Sequence, residues 1–441
     1  MDAERQNMNN TAPPLPPSGL PQSMRYAIGS KRAVSARCTH LNFQPFNGNS
    51  FTPDSNNEIR ISIQAPGFLD TAKHILRLSV TTVTGTAAAN VDYSLASLFD
   101  QLRIESNGTV LERIDRYAVI DNIKSMYNDS FAEKRMKSST SLGNSTVDVK
   151  SLGTAFDTTG STVTGSIQLR SGLLMNKHNH ALPMGGAPLE LILRLNSAAA
   201  CVFGSATSTL TSVTVSNVAF LCPMYQIESE SIMAQYKQVL ATQPITICGE
   251  TYKTYVNSVT ASSSTQVLQI NDRSRSLKAL VSAIRPSGNA TTYIAPSNSE
   301  FVITGLDRYT YNIAGAQYPP GGIQLDDTLI SVNICEPVDM ASKALAPYNK
   351  LRGYGMVGIT EFTAPVSAET NKDGGGKAVM SVDLRKFSDE ERCFVGMDTA
   401  SNAQPITLEL QCTSCPAGDM TTFGVCEAEW VLQGGRYGVS V

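Results

Sequence analysis

With 441 residues, 41% of them apolar, the chain can bury two cores and is not disordered throughout. Only 17% of residues are charged and the net charge is −3, so no overall field draws in nucleic acid, and no specific nucleic-acid binding is expected. No run of eighteen apolar residues is present, which excludes a membrane-spanning helix, and the opening MDAERQNMNN lacks the apolar region of a signal peptide.

Synthesis in the cytosol is therefore expected, where thiols stay reduced. The nine scattered cysteines, an odd number, fit that setting. A surface poor in charge and rich in Ser, Thr, Asn and Gly suits a protein that packs against copies of itself, and equally a secreted β-protein.

Residues 1–54 read as a Pro-rich arm. Pro13, Pro14, Pro16, Pro17 and Pro21 come without apolar periodicity, and Arg25, Lys31, Arg32 and Arg37 follow. Such a segment buries no core of its own, and either stays mobile or orders by lying on a neighbour. From Glu58 a strand pattern begins, EIRISIQA and then HILRLSVTTVT. Phe99 to Tyr127 is the stretch around which the rest is organised. Leu102 and Ile104 alternate with Arg103 and Glu105, Asn107-Gly108 predicts a tight hairpin turn, and Val110-Leu111 opens the return strand. The period then becomes helical, with Ile114, Tyr117, Ala118 and Asp121 on one side and Ile120, Ile123 and Tyr127 beside it.

Lys137 to Thr162 reads as a polar loop with one short strand at Thr146 to Val149. Strands follow at Gly165–Leu169, Leu189–Leu195 and Val213–Leu221, with a projecting loop at Ser197 to Thr211. Ser229 to Ala241 places Ile232, Met233, Tyr236, Val239 and Leu240 on one helical face, so residues 229–244 are expected to connect a domain at 55–228 to one at 245–441. In the second domain strands are expected at Ile245–Val256, Gln266–Ile270, Leu277–Ile284, Met356–Phe362, Val379–Leu384, Ile406–Gln411 and Phe423–Leu432. A long loop is expected at Gly305–Leu325 and a short helix at Val338–Leu345.

The halves repeat. Ser166-Ile-Gln-Leu-Arg170 matches Ser381-Val-Asp-Leu-Arg385 at an offset of 215, and Leu189-Glu-Leu191 matches Leu408-Glu-Leu410 at 219. Lys73 to Val80 resembles Lys278 to Arg285 at 205. Order and spacing together predict a duplicated domain of about eight antiparallel strands with long crossing loops, an all-β chain of two consecutive jelly rolls with short helices in the connections.

No catalytic, cofactor or metal site is expected. His178-Asn-His180 has the H-x-H of metal-binding jelly rolls, but no glutamate follows at the needed spacing and no later histidine exists. Cys412 and Cys415 are a lone C-x-x-C without a second pair, which reads as a turn. Asp373-Gly-Gly-Gly-Lys377 follows no strand and opens no helix, so it is not a phosphate loop. The acid pairs Glu228/Glu230 and Asp326/Asp327 lie in polar connections and read as solvated caps. The chain is not expected to be an enzyme.

Several of these features together carry a resemblance over residues 55–441. They are Gly67-Phe-Leu-Asp70 leading into the strand at Ile75, the hairpin LRIESNGTVLERID at Leu102 to Asp115 with its helix, and the helix at Ser229. SLKAL at Ser276 to Leu280, Tyr318-Pro-Pro320 and the closing strands complete them. In these the chain resembles the double-jelly-roll major capsid proteins of the adenovirus and large-DNA-virus lineage, most nearly those of polinton-like viruses and virophages. The arm and the segment Ser331 to Met340 have no counterpart in that pattern.

The resemblance implies a homotrimer, a pseudo-hexagonal capsomer of six barrels, and location in the virion shell. Its implied partners are neighbouring capsomers, penton and minor or cement proteins, with an internal membrane as a further option. Two other readings stay open: a carbohydrate-binding jelly-roll module, which would usually be secreted and show exposed aromatics, and a double-jelly-roll hydrolase.

Overall fold

The computed structural model describes residues 36–84, 89–91, 94–130, 133, 155–156, 162–184, 188–204, 210–228, 230, 233–234, 238, 242–261, 264–286, 298–303, 305–325, 335–346, 357, 362, 376–386, 394–401, 405–415, 417–433 and 436–440. In the first half the main strands are β1 (Ala36–Phe43), β2 (Glu58–Ile63), β3 (Ile75–Thr84), β4 (Phe99–Ser106), β5 (Thr109–Asp115), β6 (Thr162–Ile167), β7 (Leu189–Leu195) and β8 (Leu210–Ile227). Helix α1 (Tyr117–Asn128) lies between β5 and β6. The ladders are antiparallel and order the strands β1-β8-β3-β6 in one sheet and β2-β7-β4-β5 in the other. This is the jelly-roll order, in which successive strands cross between two facing sheets.

The second half has β9 (Ile245–Val259), β10 (Gln266–Ile270), β11 (Leu277–Pro286), β12 (Leu306–Ile313), β13 (Ala316–Gln324), helix α2 (Cys335–Ala344), β14 (Met380–Asp383), β15 (Ile406–Cys412) and β16 (Gly418–Gln433). Its sheets run β9-β16-β11-β14 and β10-β15-β12-β13, the first roll's order with eight added to every number. A final strand, β17 (Arg436–Ser440), pairs with the end of β16. The duplication expected from the sequence is thus a duplication of topology, down to a helix between the fifth and sixth strands of each roll.

Local chemistry explains the best-read elements. In β7 Leu189, Leu191, Leu193 and Leu195 face the core and are buried, while on the other face Glu190 and Arg194 are half-buried and flank a buried Ile192. The β4–β5 turn has both central residues at positive φ, Asn107 at 49° and Gly108 at 79°, the conformation that an Asn-Gly pair adopts most readily.

Three expectations are corrected. Residues 305–325, read as a loop, form the β12–β13 hairpin. Pro319, Pro320, Gly321 and Gly322 hide the alternation, but they fall in a register break of the edge strand β13, between the Tyr311–Tyr318 and Tyr309–Ile323 pairs, so the missing N–H groups break no ladder bond. Ala314 and Gly315, at φ 53° and 81°, make the same left-handed two-residue turn as Asn107-Gly108. Residues 36–43, assigned to the arm, form β1, paired with Phe220 to Ile227 of β8. Its exposed, edge position leaves no apolar alternation to read. The third repeat match is out of step by one residue. Leu76 pairs with Ile167 and Leu280 with Val382, so the ladders equate residues 204 apart, and the 205 offset sets inward Leu76 against Val281, on the opposite face of β11.

The strand expected at Thr146–Val149 lies outside the described residues, as does nearly all of Met356–Phe362. Much of the connecting helix does too. Of it, Glu230, Met233, Ala234, Gln238 and Thr242 are described and helical. No helix among the described residues is long and apolar enough to cross a membrane.

Candidate functional site

The most elaborate chemistry in the molecule lies where the two rolls meet, and helix α1 is at its centre. All twelve α1 residues are buried, including Asp121, Asn122, Lys124, Ser125 and Asn128. A helix with one apolar face, as the sequence suggested, needs only a sheet beneath it. One buried on every side must find a partner for each polar group.

Arg170, just after β6, supplies several of these partners. Its Nε donates to Asp121 Oδ1 at 2.8 Å, and its Nη2 donates to Ser125 Oγ and Asp129 Oδ1, both at 3.0 Å. Its backbone N–H donates to Tyr117 Oη at 2.7 Å. Arg385, the matching residue of the repeated pentapeptide, donates to the Lys343 carbonyl in α2 at 3.1 Å and to Asp383 Oδ2 at 2.8 Å. The repeated arginine therefore has one job in both rolls, tying the end of the sixth strand to the preceding helix.

Two carboxylates join the rolls directly. Glu250 of β9 lies between Lys124 of α1, in hydrogen-bond contact, and Lys278 of β11 at 3.1 Å, and accepts from Tyr252 Oη at 2.7 Å. Burial would raise its carboxyl, but the two lysines reverse the effect and hold it well below the usual carboxylate range. Glu112 of β5 has no cation beside it among the described residues. It accepts from Ser171 Oγ, from Gly172 N–H at 2.9 Å, from Leu173 N–H at 3.4 Å and, across the junction, from Thr251 Oγ1 at 2.9 Å. Burial pushes its carboxyl up, and the four donors offset part of that rise.

Further hydrogen bonds cross the same boundary. Trp430 Nε1 donates to the Leu111 carbonyl at 3.0 Å, Thr254 Oγ1 to the Asp115 carbonyl at 2.8 Å, Tyr127 Oη to the Lys377 carbonyl at 2.8 Å and Tyr437 Oη to the Pro183 carbonyl at 3.1 Å. At one point the backbones touch. A Cβ on Gly249 would fall 2.2 Å from the Gly172 carbonyl oxygen, and one on Gly172 would fall 2.4 Å from the Glu250 carbonyl oxygen. The apolar contacts are continuous as well. Ala279, Val281 and Ala283 of β11, with Phe423, Val425 and Trp430 of β16, belong to the first roll's core, while Leu280 and Ile284 face the core of the second.

The residues weighed for chemistry are not brought together. His178 and His180 lie on a turn with ring centroids 5.2 Å apart, and no group of three or more potential metal ligands occurs among the described residues. Cys412 and Cys415 are free thiols at the end of β15, and burial, then Cys415, pushes the Cys412 thiol up to about 12. Lys377 is anchored by a hydrogen bond from Nζ to the Ser299 carbonyl at 3.0 Å. Glu228 and Glu230 are exposed, and Asp326 and Asp327 lie outside the described residues. Sequence reasoning missed Arg170, Glu112, Glu250 and Lys124 as a set, although the repeated arginine was a visible signal for one of them.

No protein-family model matches this sequence, and no curated protein matches it. Solved structures do match it in shape. A chain of the PBCV-1 virus capsid superposes with a TM-score of 0.60 at 10% identity, covering 94% of this chain and 99% of that one. The Faustovirus major capsid protein gives 0.57 at 10% identity, covering 92% of each. The mavirus major capsid protein gives 0.55 at 11% identity, covering 98% of this chain and 97% of that one. The chain has the double-jelly-roll fold of these capsid proteins. In this double jelly roll the junction just described joins the two like barrels through buried ion pairs, hydrogen bonds and a shared apolar core.

Proposed function

We propose that this chain is the major capsid protein of a DNA virus, a structural protein and not an enzyme. It forms homotrimers whose six barrels give a pseudo-hexagonal capsomer that tiles an icosahedral shell. The observation that carries this reading is the joining of two barrels of identical strand order across a buried polar junction. A subunit of that kind offers two similar edges at a fixed angle, as three copies need in order to close a six-sided ring. The shape likeness to three virus capsid proteins supports it. Interfaces between barrels would exceed the ~1,600 Å² of a standard protein contact.

The location is the virion shell, with neighbouring capsomers, penton and cement proteins as partners. The first roll is drawn as residues 36–228, the connection as 229–244 and the second roll as 245–441. Residues 1–35, with their five prolines, are assigned to contacts with neighbouring capsomers. Deleting them and recovering unchanged shells would remove that assignment.

Light scattering on the purified protein, followed by negative-stain imaging, tests the central claim. The expected mass is three times 47.3 kDa, with hexagon-outlined particles. A 47.3 kDa monomer that persists across protein and salt concentrations would overturn it.

A further inference from the structure

The sheet β1-β8-β3-β6 turns a polar row away from the core. Leu76, Leu78 and Val80 of β3 are fully buried, so Arg77 and Ser79, alternating with them, belong to the outer face. The ladders set Ser79 beside Thr164 of β6 and Ser216 of β8, and Arg77 beside Ser166 and Ala219. Between Ser216 and Ala219 strand β8 breaks register. Inside that bulge Asn217 takes φ 51°, a left-handed conformation that asparagine tolerates better than other non-glycine residues, and it turns the carboxamide toward β3. Its Nδ2 donates to Ser79 Oγ at 3.4 Å, and Ser79 Oγ lies 2.8 Å from Thr164 Oγ1. Ser79 is only 2% exposed although it belongs to the outer face.

The chain leaving β1 builds the opposite wall with Gln44, Pro45 and Asn49, and a bridge from Pro45 to Ile61 holds it in place. Between these walls is a cleft of 470 Å³. Its lining contains one cation, Arg77, and no carboxylate. Among the described residues Arg77 has no ion-pair partner.

We infer that this cleft binds a carboxylate-bearing sugar. A guanidinium without an acid beside it fits a carboxylate in a two-pronged contact. The hydroxyl of Thr164 and the carboxamides of Asn217, Asn49 and Gln44 can exchange hydrogen bonds with ring hydroxyls, while the buried Ser79 hydroxyl ties Asn217 to Thr164. Pro45 and Val218 offer a small apolar surface to a ring face. The volume lies within the ~300–1,000 Å³ of small-molecule sites, larger than an inorganic anion needs, and a lining without aromatic rings disfavours an apolar guest. The inference is independent of the capsid reading, because it rests on one face of the first roll.

Saturation-transfer NMR on the full chain tests it, with glucuronate and N-acetylneuraminate as probes and glucose and inorganic phosphate as controls. Transfer to one or both acids, none to glucose, and at least about tenfold weaker binding in Arg77→Ala is the expected result. Arg77 is exposed, so the variant should keep the wild-type melting temperature. Asn217→Gly, which relaxes the bulge but removes its amide, should weaken binding severalfold. The proposal is overturned by no transfer to either acid in the wild type, by equal transfer to glucose, by undiminished binding in Arg77→Ala, or by full displacement by phosphate. Loss of the oligomer in Arg77→Ala would also overturn it, by assigning the cleft to a subunit contact.

Discussion

His74 shows how one buried side chain makes stability depend on pH. It sits at the start of β3, stacked on Phe220 with ring centroids 5.3 Å apart. The Leu169 N–H donates to its Nε2 at 2.8 Å, so the proton is on Nδ1, which faces the Thr71 carbonyl. Burial lowers its pKa from 6.5 to about 4. The unfolded chain therefore binds a proton between those values and the folded chain does not. The resulting stability is complete above pH 6.5 and is lost as the pH falls toward 4, about 3 kcal/mol in all. Urea unfolding of the wild type and His74→Gln across this range should show the loss in the wild type and a smaller slope in the variant. Parallel slopes would count against it. Gly249 allows a second test. Gly249→Ala must separate two backbones in contact, and a loss of about 2 kcal/mol or more is expected from a shift in the urea midpoint.

Helix α1 depends on Arg170 more than α2 depends on Arg385. Arg170→Ala would leave Asp121 and Asp129, 8% and 7% exposed, as buried charges without their cation. Removing one partner of a buried pair costs about 3–5 kcal/mol. Arg385→Ala loses one bond to a carbonyl and a two-pronged contact with the half-buried Asp383, about 1–3 kcal/mol. Chemical denaturation of the two variants should rank them in that order, and equal losses would refute the asymmetry. The elements themselves were unequally legible. Leu189–Leu195 and Gln266–Ile270 match the expected strands to the residue, because one face of each meets the core and the pattern alternates. β1 and the β12–β13 hairpin were missed for opposite reasons. β1 is an edge strand with little burial on either side, and β13 carries prolines and glycines that an edge strand tolerates.

For the whole molecule, the continuous core predicts one unfolding unit. Residues of β11 and β16 complete the first roll's core from one face and the second roll's core from the other, so neither roll can melt without stripping the other. Calorimetry should show a single transition with equal calorimetric and van't Hoff enthalpies. Two resolved transitions would mean the rolls are independent. Local pattern was enough to establish the all-β class, the two-fold repeat and most strands, because alternation along a strand records which face is buried. It could not show that Lys124 meets Glu250, 126 residues away, or that Trp430 reaches back to Leu111. Such contacts depend on how two finished sheets pack, and no short stretch of sequence carries that information. The polar cleft around Arg77 has the same origin, since three strands and the segment after β1 meet there only once the first roll has closed.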